Sequence, residues 1–211
     1  MEQTTFLILL LSMFTLVFYA VHELSAKSKL MSYILFLIFP AIMLPLILTT
    51  EWNGWFNVAK TTTMIFVGAF ITVVRFQLRH VVFYAIVACL LPLNIAEAAL
   101  KDFEVGRMLD FVSGSIVILL LPRLTSARVD RDLARSFVYP TSWSFLIAYN
   151  VWHMSFMYRY VSFRGHAGDY VLLNISLLLI PLLIAATRGP ARWLQARAYT
   201  LAFSILSLIH I

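Results

Sequence analysis

Residues 80–100 read HVVFYAIVACLLPLNIAEAAL, an apolar run in which Glu97 is the one side chain with a formal charge at neutral pH. An α-helix needs about 20 such residues to cross the hydrocarbon core of a bilayer. Seven other apolar segments alternate with clusters of charged and turn-forming residues, and they cover residues 5–22, 30–50, 58–75, 108–122, 137–158, 169–187 and 193–211. We therefore predict an all-α protein, a polytopic transmembrane bundle of eight helices that forms a single transmembrane domain over residues 1–211.

The composition supports a membrane environment. Of the 211 residues, 62% are hydrophobic and 12% are charged, and the mean hydropathy is +0.89. Soluble domains carry about 25% charged residues, so we expect the surplus apolar surface to face lipid. The net charge of +6 does not indicate nucleic acid, because the basic residues are spread between the apolar segments and fit topology determinants.

The distribution of basic residues predicts the orientation of the helices. If all eight segments cross, ten Lys and Arg residues fall on one side and five on the other. The first set is Lys27, Lys29, Arg75, Arg79, Arg123, Arg128, Arg131, Arg135, Arg188 and Arg192, and the second is Lys60, Lys101, Arg107, Arg159 and Arg164. Because cytoplasmic loops carry the excess of basic residues, we predict both termini outside the cytoplasm, in a bacterial cytoplasmic (inner) membrane.

The fifth segment is predicted to be a short helix. Asp110 and Arg123 confine its apolar part to fewer residues than a span normally needs, so a crossing requires snorkelling ends or a thinned bilayer. A re-entrant or buried segment is the alternative. We favour the crossing, because omitting it would weaken the charge asymmetry of the loops.

Two apolar segments contain polar residues at helical spacing. Helix 4 carries Asn94 and Glu97 at i and i+3, and helix 6 carries Asn150 and His153 at the same separation, with Tyr149 one turn from His153. Residues three apart share a helix face, and polar groups inside spans usually face the bundle or a cavity. Since both helices run outward in the predicted topology, we expect the two pairs to meet at similar depth around a pocket.

This pocket is the predicted ligand site. Its residues are Asn94, Glu97, Trp143, Tyr149, Asn150, His153 and Arg159. Glu97 and His153 would supply charge, the two asparagines hydrogen bonds and Trp143 a stacking surface, with Lys101 and Asp102 at the border. The site predicts a membrane transporter or facilitator for a small polar molecule, with the lipid bilayer and a small-molecule or ion ligand as partners; a homo-oligomer is left open.

Each of these residues also has a structural interpretation. Glu97 is four residues from Lys101 and could form an interfacial ion pair. Asn150 could bridge two helices, and a lone His153 is more often a satisfied core histidine than a ligand. Three functional alternatives follow: an ion channel or ion-coupled protein in which Glu97 selects cations, an intramembrane lipid-acting enzyme with His153 and Glu97 as acid and base, and a scaffold without ligand.

Enzyme motifs are missing from the sequence. It has no His-Glu-x-x-His, no Gly-x-Ser-x-Gly and no Walker loop, and its single cysteine, Cys89, can form no internal disulfide. We predict no cofactor, metal or catalytic residue, and a non-enzyme is favoured.

Other residues are interpreted as interfacial. Trp55, Trp143 and Trp193 lie near segment ends, where indole rings favour the headgroup layer. Arg197, near the start of the last segment, is interpreted as a snorkelling anchor. The stretch Arg123–Arg135 is predicted to be a solvated cytoplasmic loop attracted to anionic lipid.

Three runs of sequence resemble a known family. They are Pro92-Leu93-Asn94-Ile95-Ala96-Glu97-Ala98 with Lys101-Asp102-Phe103, Ile147-Ala148-Tyr149-Asn150-Val151-Trp152, and Trp193-Leu194-Gln195-Ala196-Arg197-Ala198 with Thr200-Leu201-Ala202. They are similar to microbial polytopic membrane proteins of unknown function, from about His22-Glu23-Leu24 to the C-terminus. In that family an aspartate often stands in place of Asn150 and an asparagine in place of His153, which speaks against a proton-carrying role for this pair. The resemblance implies no established activity.

A fainter similarity is to vitamin transporters of the Pnu type, in which two parallel three-helix repeats are joined by a linker helix. The resemblance implies that helices 2–4 and 6–8 are the repeats, that helix 5 is the linker, and that helix 1 is an addition. Helices 2 and 6 would then share a direction. The spacing Trp143…Asn150…Tyr158 also resembles their second repeat.

Overall fold

The computed structural model describes residues 2–43, 55–130, 135–162 and 167–208. These residues form an all-helical protein with eight helices. In chain order they are α1 Glu2–Lys27, α2 Lys29–Met43, α3 Trp55–Phe76, α4 Val81–Glu104, α5 Met108–Leu119, α6 Trp143–Ser162, α7 Ala167–Arg188 and α8 Trp193–Leu208. The predicted all-α class is confirmed, and each of the eight predicted segments overlaps one of these helices.

Three of the helices contain a stretch long and apolar enough to cross a membrane, namely Thr5–Lys27, Val58–Phe76 and Val81–Glu104. Shorter apolar stretches are Lys29–Met43, Met108–Leu119 and Leu172–Arg188. These lengths are compatible with an integral membrane protein.

Helix α5 is short, as predicted, with 12 residues, or about 18 Å at 1.5 Å per residue. The Trp152 indole at the middle of α6 donates to the carbonyl of Asp110 near the start of α5 (3.2 Å). Beyond the end of α5, the Pro122 carbonyl accepts from the Tyr139 hydroxyl, ahead of α6 (2.6 Å). The two helices are therefore antiparallel, and α5 runs between the two ends of the bundle.

The described part of the predicted solvated loop over Arg123–Arg135 is mostly exposed or partly exposed, with Arg123 and Arg128 exposed, and it also carries short secondary structure. Strands β1 Arg128–Val129 and β2 Phe137–Val138 pair antiparallel, with Arg128 opposite Val138. Ala127 is buried within the predicted loop. Because β2 occupies residues that were predicted to begin helix 6, α6 starts later, at Trp143, where the Ser142 hydroxyl accepts from the Phe145 amide (3.1 Å).

Helix α8 lies at the centre of the bundle. Every residue from Trp193 to Thr200 is buried, and α8 packs against α1, α3 and α7. Close packing on α3 depends on Gly68, where an added Cβ would lie 2.7 Å from the Ala202 Cβ. Small residues at such crossings let helix backbones approach closely.

The predicted interfacial position of Trp193 is wrong, because its side chain is fully buried. Its ring packs edge-on against Phe145 and Tyr149, with centroids 5.6 and 4.9 Å apart. A residue near the end of an apolar segment is interfacial only if no other element covers that end. Here the β2 segment does so, since the Phe137 amide donates to the Gln195 side chain (2.6 Å).

Arg75, which was predicted to end the third segment as a topology determinant, is part of the core. It lies in the last turn of α3 with 0% exposure. Its guanidinium donates to the carbonyls of Ser25 (3.0 Å), Ala26 (2.9 Å) and Arg135 (2.9 Å). The last carbonyls of α1 have no partner within their own helix, so this arginine caps α1 from a neighbouring helix.

These contacts bring one set of connections together at one end of the bundle. We call residues 77–80, 120–130, 135–142 and 189–192 the basic end. The Tyr139 amide donates to the Ala191 carbonyl (2.8 Å), and Arg192 bonds Ser136 (2.6 Å) and Asp130 (3.0 Å). Within the described residues, the loops that were predicted to share a side thus lie together.

Candidate ligand site

Four polar side chains meet between α3 and α4. The Lys60 ammonium donates to the backbone carbonyl of Asn94 (2.6 Å) and to its Oδ1 (2.9 Å). One turn along each helix, the Thr63 hydroxyl donates to Glu97 Oε1 (2.5 Å). The second carboxylate oxygen, Oε2, is buried and has no hydrogen-bond partner among the described residues.

A second group joins α6, α7 and α8 around Arg197, which is 1% exposed. Its Nε donates to the Tyr149 hydroxyl (3.2 Å), its Nη1 to the Leu177 carbonyl (2.9 Å), and its Nη2 lies 2.9 Å from His153 Nε2. A guanidinium has donors and no acceptor, so His153 Nε2 accepts and the imidazole is neutral, with its proton on Nδ1. The Tyr149 and His153 rings stack, with centroids 5.6 Å apart.

A cavity of about 30 Å³ lies between the two groups. Its polar lining comes from Asn94 of α4, Tyr149 of α6 and Arg197 of α8. The remaining wall is apolar and consists of Met64, Val67, Leu90, Leu91, Leu194, Ala198 and Leu201. A cavity of this volume has room for about two water molecules, far less than the few hundred Å³ of a drug-sized ligand site.

We call the seven side chains around this cavity the polar cluster. They are Lys60, Thr63, Asn94, Glu97, Tyr149, His153 and Arg197. Four of them were predicted from sequence, and they lie on both sides of the cavity. The predicted pairs of α4 and α6 do not bond to each other, however, because Lys60 and Arg197 take the positions between them.

The other predicted site residues lie elsewhere. Trp143 is 47% exposed at the first residue of α6, six residues, or about 9 Å, before Tyr149. Asn150 uses its Nδ2 within its own helix, on the Leu146 carbonyl (2.6 Å), and its Oδ1 has no partner in the described part of the chain. The side chain of Arg159 lies outside the described residues.

The structural alternatives can also be compared with these contacts. Lys101 pairs with Glu104 (3.0 Å), so the described residues contain no Glu97–Lys101 ion pair. His153 is a satisfied core histidine on its Nε2 side, through Arg197. His153 and Glu97, the acid–base pair of the enzyme alternative, bond to different helices, α8 and α3.

Sequence reasoning missed Lys60, Thr63 and Arg197 as members of the site. Lys60 was counted only as a topology determinant on the less basic side, although it lies within the apolar stretch of α3. Arg197 was interpreted as a snorkelling anchor, and its burial corrects that prediction. A general rule could have identified Lys60 and Arg197 from the sequence, because an ionisable residue inside an apolar helix is a candidate functional residue by default.

Comparison with known proteins gives one match. The model of a family of unknown function (DUF5692) matches residues 107–210, which include Tyr149, His153 and Arg197 but not the α3 and α4 part of the polar cluster. This match is consistent with the predicted resemblance to a family of unknown function, while the Pnu-type similarity stays a prediction. No curated protein and no solved structure matches the chain.

Proposed function

We propose that this chain is a polytopic membrane protein, with eight helices crossing the bilayer, that transports or facilitates the passage of a small polar solute. The observation that carries the proposal is the cavity whose wall combines Asn94, Tyr149 and Arg197 with apolar side chains. A buried arginine and its polar neighbours are costly to keep in such surroundings, which favours a functional use.

The distribution of side chains supports the membrane part of the proposal. Large apolar side chains face outward, among them Leu119 at 83% exposure and Leu109 at 78%, whereas Arg75 and Arg197 are buried. This is the reverse of a soluble protein, in which charged residues almost never lie fully inside. The exposed basic residues Arg79, Arg123 and Arg128 lie at the basic end, which we assign to the cytoplasm.

The position of the cavity supports transport. Met64 lies nine residues after the start of α3 and Leu90 nine after the start of α4, about 13 Å along each helix. The cavity is therefore near the middle of the bundle, where secondary transporters hold their substrates.

Aromatic side chains pack within the bundle on either side of the cavity along the helices. Towards the basic end, Tyr199 stacks on Phe36 with centroids 4.1 Å apart and accepts from Arg75 (2.8 Å). Towards the opposite end, Phe56 and Phe156 pack edge to face at 5.9 Å.

Flux measurements on the purified protein in liposomes test the proposal. We expect at least one member of a panel of small anions, cations and neutral solutes to cross faster than in protein-free liposomes. Leu90→Phe, which fills the cavity wall, should slow that flux, and Leu93→Phe, an exposed position on the same helix, should not. If no solute crosses faster, or if both variants behave alike, the proposal is wrong. Unitary currents in planar bilayers would indicate the channel instead.

A further inference from the structure

We infer that the solute is a small monovalent anion, held in the cavity by Arg197, Asn94 and Tyr149. The inference rests on the proposed function and assigns the chemical class of its solute. It is carried by the charge of Arg197, by the hydrogen-bonding capacity left on the cavity wall, and by the size of the cavity.

Arg197 is a buried cation for which the described part of the chain supplies no negative partner. Its three bonded groups, the Tyr149 hydroxyl, the Leu177 carbonyl and the His153 imidazole, are all neutral. Among the described residues no carboxylate forms an ion pair with it. A buried charge is costly unless it is paired, so an anion in the adjoining cavity would supply the counter-charge that the described residues do not.

The polar groups of the cavity wall still have N–H and O–H donors that no described residue accepts. Arg197 has five N–H groups, of which contacts with described residues use three. Tyr149 accepts from Arg197, which leaves its O–H to donate. Because Lys60 can only donate, Asn94 must turn Oδ1 towards it, and the amide keeps its two N–H groups.

This set of groups selects against cations. A cation in the cavity would meet a guanidinium and two groups that are left with hydrogens to offer, whereas an anion could accept from all three. Hydrogen bonds to a charged acceptor are about twice as strong as those between neutral groups. The one carboxylate of the polar cluster, Glu97, is not part of the cavity wall and bonds to Thr63.

The volume limits the size of the anion. At about 30 Å³ the cavity accommodates a few heavy atoms, which corresponds to a halide, nitrate or formate and excludes a larger metabolite in this conformation. The neutral state of His153 adds no second positive charge, so one negative charge balances the Arg197 guanidinium.

Nitrate is the probe for the test. Proteoliposomes loaded with potassium nitrate, with potassium permeability supplied by an ionophore, should release nitrate through the wild-type protein. Arg197→Gln should abolish this release. Arg79→Gln removes the same charge from an exposed position at the basic end and should leave it unchanged.

Tyr149→Phe provides a test that preserves the packing of the ring. Losing one donor to a charged ligand should weaken nitrate binding about tenfold or more. Binding is measured as the rise in the thermal unfolding temperature of the detergent-solubilised protein when nitrate replaces gluconate at constant ionic strength. This readout remains available if Arg197→Gln does not fold.

The outcomes separate the inference from the proposed function. Flux of cations or neutral solutes without nitrate flux overturns the anion inference and leaves transport standing. Nitrate flux or binding that is equal in wild type, Tyr149→Phe and a folded Arg197→Gln overturns it as well. If no solute crosses the liposomes at all, both proposals fall.

Discussion

Nη2 of Arg197 lies 2.9 Å from Nε2 of His153, and both side chains are buried between α6 and α8. Because the guanidinium can only donate, the contact exists only with a neutral imidazole. The histidine therefore acts on the cavity indirectly, because it holds one branch of the guanidinium that lines the cavity. The contact assigns His153 a structural role, which is to position Arg197.

His153→Phe should destabilise the protein, because it leaves a buried N–H of Arg197 without an acceptor. The expected cost is about 1–3 kcal/mol, seen as a lower thermal unfolding temperature in detergent. His153→Gln keeps a side-chain acceptor and is the control, with a smaller loss. Equal unfolding temperatures for the Phe variant and wild type would mean that the Arg197–His153 bond contributes nothing.

Arg75→Gln should be among the most destabilising single changes in the chain. The substitution breaks bonds to the carbonyls of Ser25 and Ala26, which end α1, and leaves them buried. Each buried carbonyl that loses its donor costs about 1–3 kcal/mol. Arg79→Gln, four residues further along and exposed, makes the same chemical change and should have little effect. A comparable loss in both variants would contradict the capping role of Arg75.

The helices could be predicted from the sequence, and the central role of α8 could not. Apolar runs such as 80–100 report local preference for a helix in an apolar environment. Whether Arg197 snorkels to a surface or enters the core depends on which helices surround α8, and no local pattern contains that information. The two-residue strands β1 and β2 are likewise too short for a periodic signal, so β1 was predicted within a solvated loop and β2 at the start of helix 6.

The part of the candidate site that depends on spacing along a single helix could be predicted from the sequence. Asn94 with Glu97, and Tyr149 with His153, share faces by their separation along one helix. Lys60 entered the site because its long side chain reaches from α3 to Asn94, a contact between helices that spacing within one helix cannot give. The same reasoning placed Asn150 in the site, but its amide bonds to its own helix at Leu146.

Asn94→Asp should abolish nitrate binding while the fold is kept. The new carboxylate can pair with Lys60, which already donates to this position (2.9 Å), and it places a negative charge on the cavity wall. Asn150→Asp makes the same exchange at a residue that does not line the cavity and should bind nitrate as wild type does. Nitrate-dependent unfolding temperatures distinguish the two, and equal binding by Asn94→Asp would argue against an anion at this wall.

The raised pKa of Tyr139 predicts that the protein loses stability at high pH. This residue lies outside the helices, and burial raises the pKa of its phenol to about 12, with the nearby Cys89 as a smaller cause. Since the unfolded chain releases this proton near pH 10, the contribution of the neutral phenol is complete below pH 10 and is lost as the pH rises towards 12. Unfolding temperatures of wild type should fall more steeply over this interval than those of Tyr139→Phe, and parallel curves would contradict the assignment.

The close crossing of α3 and α8 makes a prediction that only a pair of variants can test. Gly68→Ala introduces a Cβ at 2.7 Å from the Ala202 Cβ and 3.2 Å from Phe36 Cδ1. In a helix, alanine is more favourable than glycine by about 1 kcal/mol. If Gly68→Ala nevertheless lowers the stability of the protein, the loss comes from the contact of the new Cβ with Ala202 and Phe36. Ala202→Gly removes the nearer of the two atoms, and the double variant should therefore be more stable than the sum of the single changes implies. Thermal unfolding of all four proteins measures this coupling. If the effects of the two changes are additive, α3 and α8 move apart to accommodate the new Cβ without loss. The cavity wall formed by Ala198 and Leu201 of α8 is then not fixed by this crossing.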